Sequence, residues 1–194
     1  MQSKLIAGAV LSAAVLLAPL DAQTKKTTYI SNDEVQAYLK RAETGSLNDL
    51  QVRAVGLEKG NVGIAVVYRG KLTAPAKQSV AEHNQVNEVY HIIDGSATLV
   101  TGAEIVDLKP RPADDRAVRL LTGPGGNGAS LRNGVTQQVK AGDIVVIPAG
   151  VGHLFTRIDD HIRYVVLRLD PDRVAPLKDE AASKADLASG GKGN

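Results

Sequence analysis

The sequence predicts an all-β domain, either a sandwich or a barrel. Two observations carry this. Between residues 49 and 171, short apolar segments rich in β-branched residues recur at even spacing, separated by turn residues. The chain has 194 residues and 43% hydrophobic content, which suits one core with tails at either end.

The N-terminus reads Met1-Gln-Ser-Lys4, followed by an apolar run from Leu5 to Leu20 and then Asp21-Ala22. A positive charge, a short apolar stretch and a small residue form the pattern of a signal peptide over residues 1–22, cleaved after Ala22. The run is short for a spanning helix. The expectation is therefore export to the periplasm or medium, with no membrane association after cleavage. An uncleaved anchor is the alternative. Residues 23–48 form a separate N-terminal segment, in which Ser31-Asn-Asp-Glu34 reads as a capping box. Val35, Tyr38 and Leu39 follow at helical spacing and predict a short amphipathic helix ending near Thr44-Gly45. Such a helix packs outside the barrel or against a partner.

The barrel is expected over residues 49–171. Strands are predicted near Gln51–Leu57 and Val62–Tyr68, joined by a turn at residues 58–61. Further strands fall near Ser79–His83, Glu88–Ile93, Ala97–Thr101 and Ala103–Leu108. Between Leu108 and Gly134 the pattern breaks into Pro and Gly chemistry, with one short strand at Arg116–Leu121. A connection this long is either a lid over the barrel mouth or a solvated crossing. Strands resume through Val139, at Ile144–Ile147, from His153, and at Ile162–Leu169. Residues 172–194, dominated by Ala, Lys, Asp and Gly after Val174, read as a frayed helix or a flexible tail.

Two stretches carry chemistry. Residues 83–95 hold His83, Glu88 and Gly95, and residues 142–153 hold Gly142, Pro148, Gly150 and His153. Imidazole and carboxylate are good ligands for first-row divalent ions. On a regular strand Glu88, Tyr90 and Ile92 share one face while His91 takes the other, and His153, Phe155 and Arg157 share a face.

These stretches resemble the two motifs of the cupin superfamily. The first has two histidines separated by one residue, a glutamate three or four residues later and a glycine after six more. His83, Glu88 and Gly95 match it, and Ala81 stands at the first histidine position. The second motif, Gly-x5-Pro-x-Gly-x2-His-x3-Asn, is matched by Gly142, Pro148, Gly150 and His153, with Arg157 at the asparagine position. The resemblance covers roughly residues 50–170. It implies a double-stranded β-helix, the cupin jelly-roll barrel, here with a short N-terminal helix. It also implies a divalent ion (Fe, Mn, Zn or Ni) held by His83, Glu88 and His153, and a homodimer joined through an N-terminal strand or a sheet face. With Ala81 in place of a ligand, the site either keeps open positions of the kind that suit oxygen-activating Fe(II), or is completed by Gln85 or water, or persists only as barrel turns. His91 and His161 sit at no motif position and are expected to be structural or exposed.

Other chemistries are excluded. There is no cysteine, hence no disulfide, thiolate ligand or Cys nucleophile. A net charge of +2, 3% aromatic content and no Trp argue against nucleic acid. Ser130 lacks the second glycine of Gly-x-Ser-x-Gly, and Gly123–Gly128 lacks the Lys-Ser/Thr of a phosphate loop. Two functions remain. One is an exported metal-dependent enzyme acting on a small organic molecule, of oxygenase, isomerase or lyase type. Tyr90 would serve as acid, base or orienting donor, Phe155 as an apolar wall and Arg157 as partner of a substrate carboxylate. The other is a noncatalytic module that binds or senses a small ligand in the same pocket.

Overall fold

The computed structural model describes residues 26–189, so the expected signal peptide lies outside the described residues. Helix α1 (Asn32–Thr44) is capped by Ser31, whose hydroxyl accepts from the Glu34 amide at 3.2 Å. Only this half of the expected capping box forms, because the Glu34 carboxylate turns to Arg53 at 2.9 and 3.0 Å. Strands β1 (Asp49–Gly56) and β2 (Asn61–Leu72) make the first hairpin. They are followed by β3 (Val80–His83), β4 (Asn87–Gly102), β5 (Glu104–Val106), β6 (Lys109–Pro110), β7 (Gly125–Gly128), β8 (Ser130–Arg132), β9 (Val135–Lys140), β10 (Ile144–Ile147) and β11 (Gly152–Asp170).

Two long strands organise the barrel. The first half of β4 pairs with β10 and with the second half of β11, which pairs in turn with β2. The second half of β4 pairs with β9 and with the first half of β11. β11 continues to β3, which carries β7 and then β6. All ladders are antiparallel. The result is two facing sheets that share β4 and β11, a double-stranded β-helix, with a small β5–β8 ribbon beside it.

β4 does not stop near Ile93; the strands expected separately at Glu88–Ile93 and Ala97–Thr101 are one. Gly95 has φ +77°, and a Cβ there would meet the His161 carbonyl oxygen, so glycine lets the strand bend and cross from one sheet to the other. The interior between the sheets is filled by side chains such as Ile92, Leu99, Ile158, Ile162 and Val166, each at most 1% exposed. A second apolar layer lies outside the first sheet, where Tyr38, Leu39 and Ala42 of α1 cover Leu50, Val52 and Val66. The helix thus packs outside the barrel.

Three expectations are corrected. Residues 108–134 are not one unstructured connection, because β6, β7 and β8 fall within them and β7 extends the second sheet. Its sequence Gly-Gly-Asn-Gly offers no side-chain signal, and the backbone alone makes the ladder. The strand expected at Arg116–Leu121 is instead one π-helical turn at Val118–Thr122. The C-terminal segment to residue 189 is not a free tail. Lys178 bridges its backbone to Ala54 at 2.9 and 3.0 Å, and helix α2 (Glu180–Ala188), capped by Asp179, buries Ser183. Tyr38 donates to the Ser183 carbonyl at 2.9 Å, and Asp186 pairs with Arg41 at 2.9 Å and Lys178 at 2.6 Å. Polar anchors hold this segment, so its composition alone reads as solvated.

Candidate metal centre

Three strands supply the site. His83 ends β3, Glu88 lies at the start of β4 and His153 at the start of β11. They are 8%, 2% and 7% exposed, with ligand atoms all within 4.8 Å of one another. Glu88 Oε2 is 3.6 Å from His83 Nε2 and 3.5 Å from His153 Nε2. Ligands about 2.0–2.2 Å from a tetrahedral ion stand about 3.4 Å apart, so this spacing fits a single ion. His153 Nδ1 lies 3.2 Å from the Val151 carbonyl. A proton on Nδ1 leaves the Nε2 lone pair facing Glu88, which is the tautomer a metal requires. His83 Nδ1 is buried without a partner.

Behind the carboxylate lies a cation that sequence reading missed. Arg168, opposite Glu88 in the ladder, donates from Nε to Glu88 Oε1 at 3.0 Å, from Nη2 to Asp49 at 2.5 Å and from Nη1 to Gln51 at 3.3 Å. One guanidinium faces two carboxylates, leaving a formal charge of −1, which favours an added cation. Tyr90, on the same face as Glu88, donates to Glu88 Oε2 at 2.8 Å. Burial would raise the Glu88 carboxyl, but the His83 imidazole and the Arg168 guanidinium beside it, with a smaller part from His153, hold it well below the usual range. Burial and the Glu88 charge keep the Tyr90 phenol protonated well above its ordinary value. It is a donor and not a base. Two imidazoles and one ionised, charge-biased carboxylate therefore suit a divalent ion, and the His83–Glu88–His153 group can hold one.

Burial lowers His153 to about 4, outweighing the Glu88 charge that raises it. This shift has a consequence for stability. Between about pH 6.5, the ordinary histidine value, and about pH 4, the unfolded chain takes up a proton at His153 that the folded chain refuses. Stability is therefore full above pH 6.5 and is lost as pH falls towards 4, by about 3 kcal/mol at this residue alone. The depressed Glu88 acts in the same direction. Urea unfolding of chelator-treated protein at a series of pH values should show the midpoint falling over this window. A flat profile would contradict the burial of a neutral His153.

The remaining expected residues divide. Phe155 is buried within the barrel, its ring 5.9 Å from that of Tyr164. Arg157 does not line the interior. The ladder slips between Phe155 and Arg157, so the alternation breaks and Ile158 points inward instead. The Arg157 side chain is 68% exposed and pairs with Asp159 at 2.7 Å. Arg69 of β2 occupies the wall near Phe155, its guanidinium carbon 5.8 Å from the ring and its Nε donating to the Tyr164 hydroxyl at 3.4 Å. His91 is exposed on the outer face, opposite Ile144, and His161 lies between Asp94 and Asp160. Gln85 does not fill the gap at Ala81, since its amide donates to Asp172 on the surface. A cavity of about 600 Å³ runs along the flank between β9 and β10 and is lined by none of the three candidate ligands.

No protein-family model matches this chain, and no curated protein matches it. Among solved structures it is similar to a protein from Bacillus halodurans, 11% identical with a TM-score of 0.43, over 84% of this chain and 98% of the other. It is similar to an uncharacterized conserved protein with a double-stranded beta-helix domain from Klebsiella pneumoniae, 13% identical with a TM-score of 0.43, over 80% and 100%. The DMSP lyase DddQ from Ruegeria pomeroyi is 17% identical with a TM-score of 0.38, over 66% and 49%. Likenesses at this level carry nothing about chemistry.

Proposed function

We propose that this chain, whose motifs and double-stranded β-helix fit the cupin superfamily, is an exported metal-dependent enzyme acting on a small organic molecule. The observation that carries the reading is the buried His83–Glu88–His153 group at ligand spacing, with Arg168 and Tyr90 fixing the carboxylate. A divalent ion there would polarise a substrate oxygen or bind O2. The protein's own residues would do the rest. Tyr90 holds Glu88 Oε2 with its phenol proton, and Phe155 and Tyr164 keep the interior apolar. The burial of all three ligands favours a second reading, a noncatalytic module that retains a small ligand. Elemental analysis of protein purified from its native compartment, then a substrate screen on that metal form, tests the proposal. Turnover lost in His153→Ala with the fold intact supports the enzyme, and tight binding without turnover supports the module.

Export is supported by Lys4, the Leu5–Leu20 run and Ala22. Intact-mass measurement on protein from the native host is expected to show loss of about the first 22 residues, and full-length soluble protein in the cytoplasm would contradict it. A homodimer is also proposed, though not through the outer face of the strands before Gly70, part of which α1 covers. Its support is β10, an edge strand among the described residues, with Ile144 68% and Val146 65% exposed. Sedimentation at micromolar concentration is expected to give a dimer that Ile144→Lys dissociates, and a monomeric parent protein would end the idea.

A further inference from the structure

Ala81 is where the metal site lacks a side chain. In the ladder it pairs with His153 on one side and with Asn127 on the other, while His83 pairs with Gly125. Residues paired across a ladder share a face, so Ala81, His83, Asn127 and Gly125 line one surface of the sheet. Two of these four positions carry no side chain beyond a methyl.

Arg111 lies over that junction. Its amide donates to the Gly125 carbonyl at 2.9 Å, its Nε to Asn127 Oδ1 at 2.8 Å and its Nη1 to the Glu82 carbonyl at 3.1 Å. A Cβ added to Gly125 would clash with the Glu82 carbonyl oxygen and meet Arg111 Nη1 at 3.0 Å and His83 Cα at 3.1 Å, so only glycine lets the guanidinium and the backbone of β3 come this close together. Both acceptors of the side chain are neutral. Among the described residues no carboxylate lies within ion-pair distance of Arg111. A guanidinium has five N–H donors, and two are engaged here, which leaves three without a protein partner among the described residues. By contrast Arg168 is saturated by Asp49, Glu88 and Gln51, Arg157 turns outward, and Arg69 is held against Phe155 and Tyr164.

We propose that the ligand of this site is a small organic carboxylate, gripped at its carboxylate by the unengaged donors of Arg111, with another oxygen directed towards the face that Ala81 shares with His83. A rigid, half-buried guanidinium with unengaged donors and no direct ion pair suits a planar anion and rejects the neutral amide of the same shape, although the more distant charges of Asp115, Glu82 and Glu88 also act on it. The role expected of Arg157 from its strand position thus passes to Arg111. The inference rests on the metal-site reading above, and its test separates the two.

Zinc-loaded protein is titrated calorimetrically with acetate, lactate, succinate and benzoate, and with the corresponding amides. At least one acid is expected to bind and its amide not to. Arg111→Gln should weaken the acid on the order of tenfold or more while zinc affinity and the thermal midpoint stay close to the parent's. Arg111→Lys should fall between, and Arg157→Gln should change nothing. Equal binding of the acid by Arg111→Gln, or zinc binding with no acid bound, overturns the proposal. If the parent protein takes up no zinc, the metal reading fails by itself. The same series on metal-free protein then decides: acid binding lost in Arg111→Gln sustains the anion site, and no binding overturns it.

Discussion

Replacing Arg168 by methionine is expected to destabilise the protein by about 3–5 kcal/mol, the largest single effect among the polar residues. The side chain is 3% exposed and is the counter-ion of both Glu88, at 3.0 Å, and Asp49, at 2.5 Å. Its removal leaves Glu88, itself 2% exposed, without its cation in a low-dielectric interior. The Gln51 amide also loses a donor. Urea unfolding of the chelator-treated protein measures the loss. A triple variant, Arg168→Met with Glu88→Gln and Asp49→Asn, separates charge from volume. With no buried charge left uncompensated, it should recover most of the stability while binding no metal. A loss under about 1 kcal/mol in Arg168→Met would show that the cluster is solvated.

The second large effect is on the metal. His153→Ala is expected to lower divalent-ion affinity well beyond the roughly 10–100-fold typical of losing an outer partner of a ligand. Two protein ligands would remain where three stand now, and the Val151 carbonyl would lose the imidazole it orients. His91→Ala should leave affinity unchanged, because that imidazole is exposed on the outer face opposite Ile144. Calorimetric titration of both variants with Zn, Mn and Fe(II) tests the pair. Loss of metal in His91→Ala with retention in His153→Ala would mean that β4 is paired one residue out of register, since such a slip exchanges its two faces. If the parent protein binds none of these ions, the alanine at position 81 has disabled the centre.

Arg157 and Arg168 show where local pattern stops being informative. Period-2 alternation from His153 places Phe155 correctly and Arg157 wrongly, because one extra residue in the ladder reverses the faces beyond it. A bulge is a property of two strands together and leaves no mark in one of them. Arg168 sits in a run that alternates as any strand does, and nothing nearby announces a buried cation. Its partners Glu88 and Asp49 are 80 and 119 residues away. Arg111 was hidden for a similar reason, since it follows Pro110 in a stretch of Pro and Gly that reads as loop.

What the sequence determined by itself was whatever depends on short range. Apolar runs at even spacing predict an all-β sandwich or barrel, and Ser31 starts α1 as its capping chemistry requires. The resemblance of the two stretches to the cupin motifs implies His83, Glu88 and His153 as the candidate ligands. Only the tertiary structure decided the rest. It carried β4 unbroken through Gly95, made a strand of Gly125–Gly128, and seated α2 on α1 through Ser183 and Asp186. It also placed a guanidinium behind Glu88 and another against Glu82 and Asn127 of β3 and β7. Each of these is an agreement between backbone hydrogen bonds or charges from distant segments, and such partners meet only when the barrel closes.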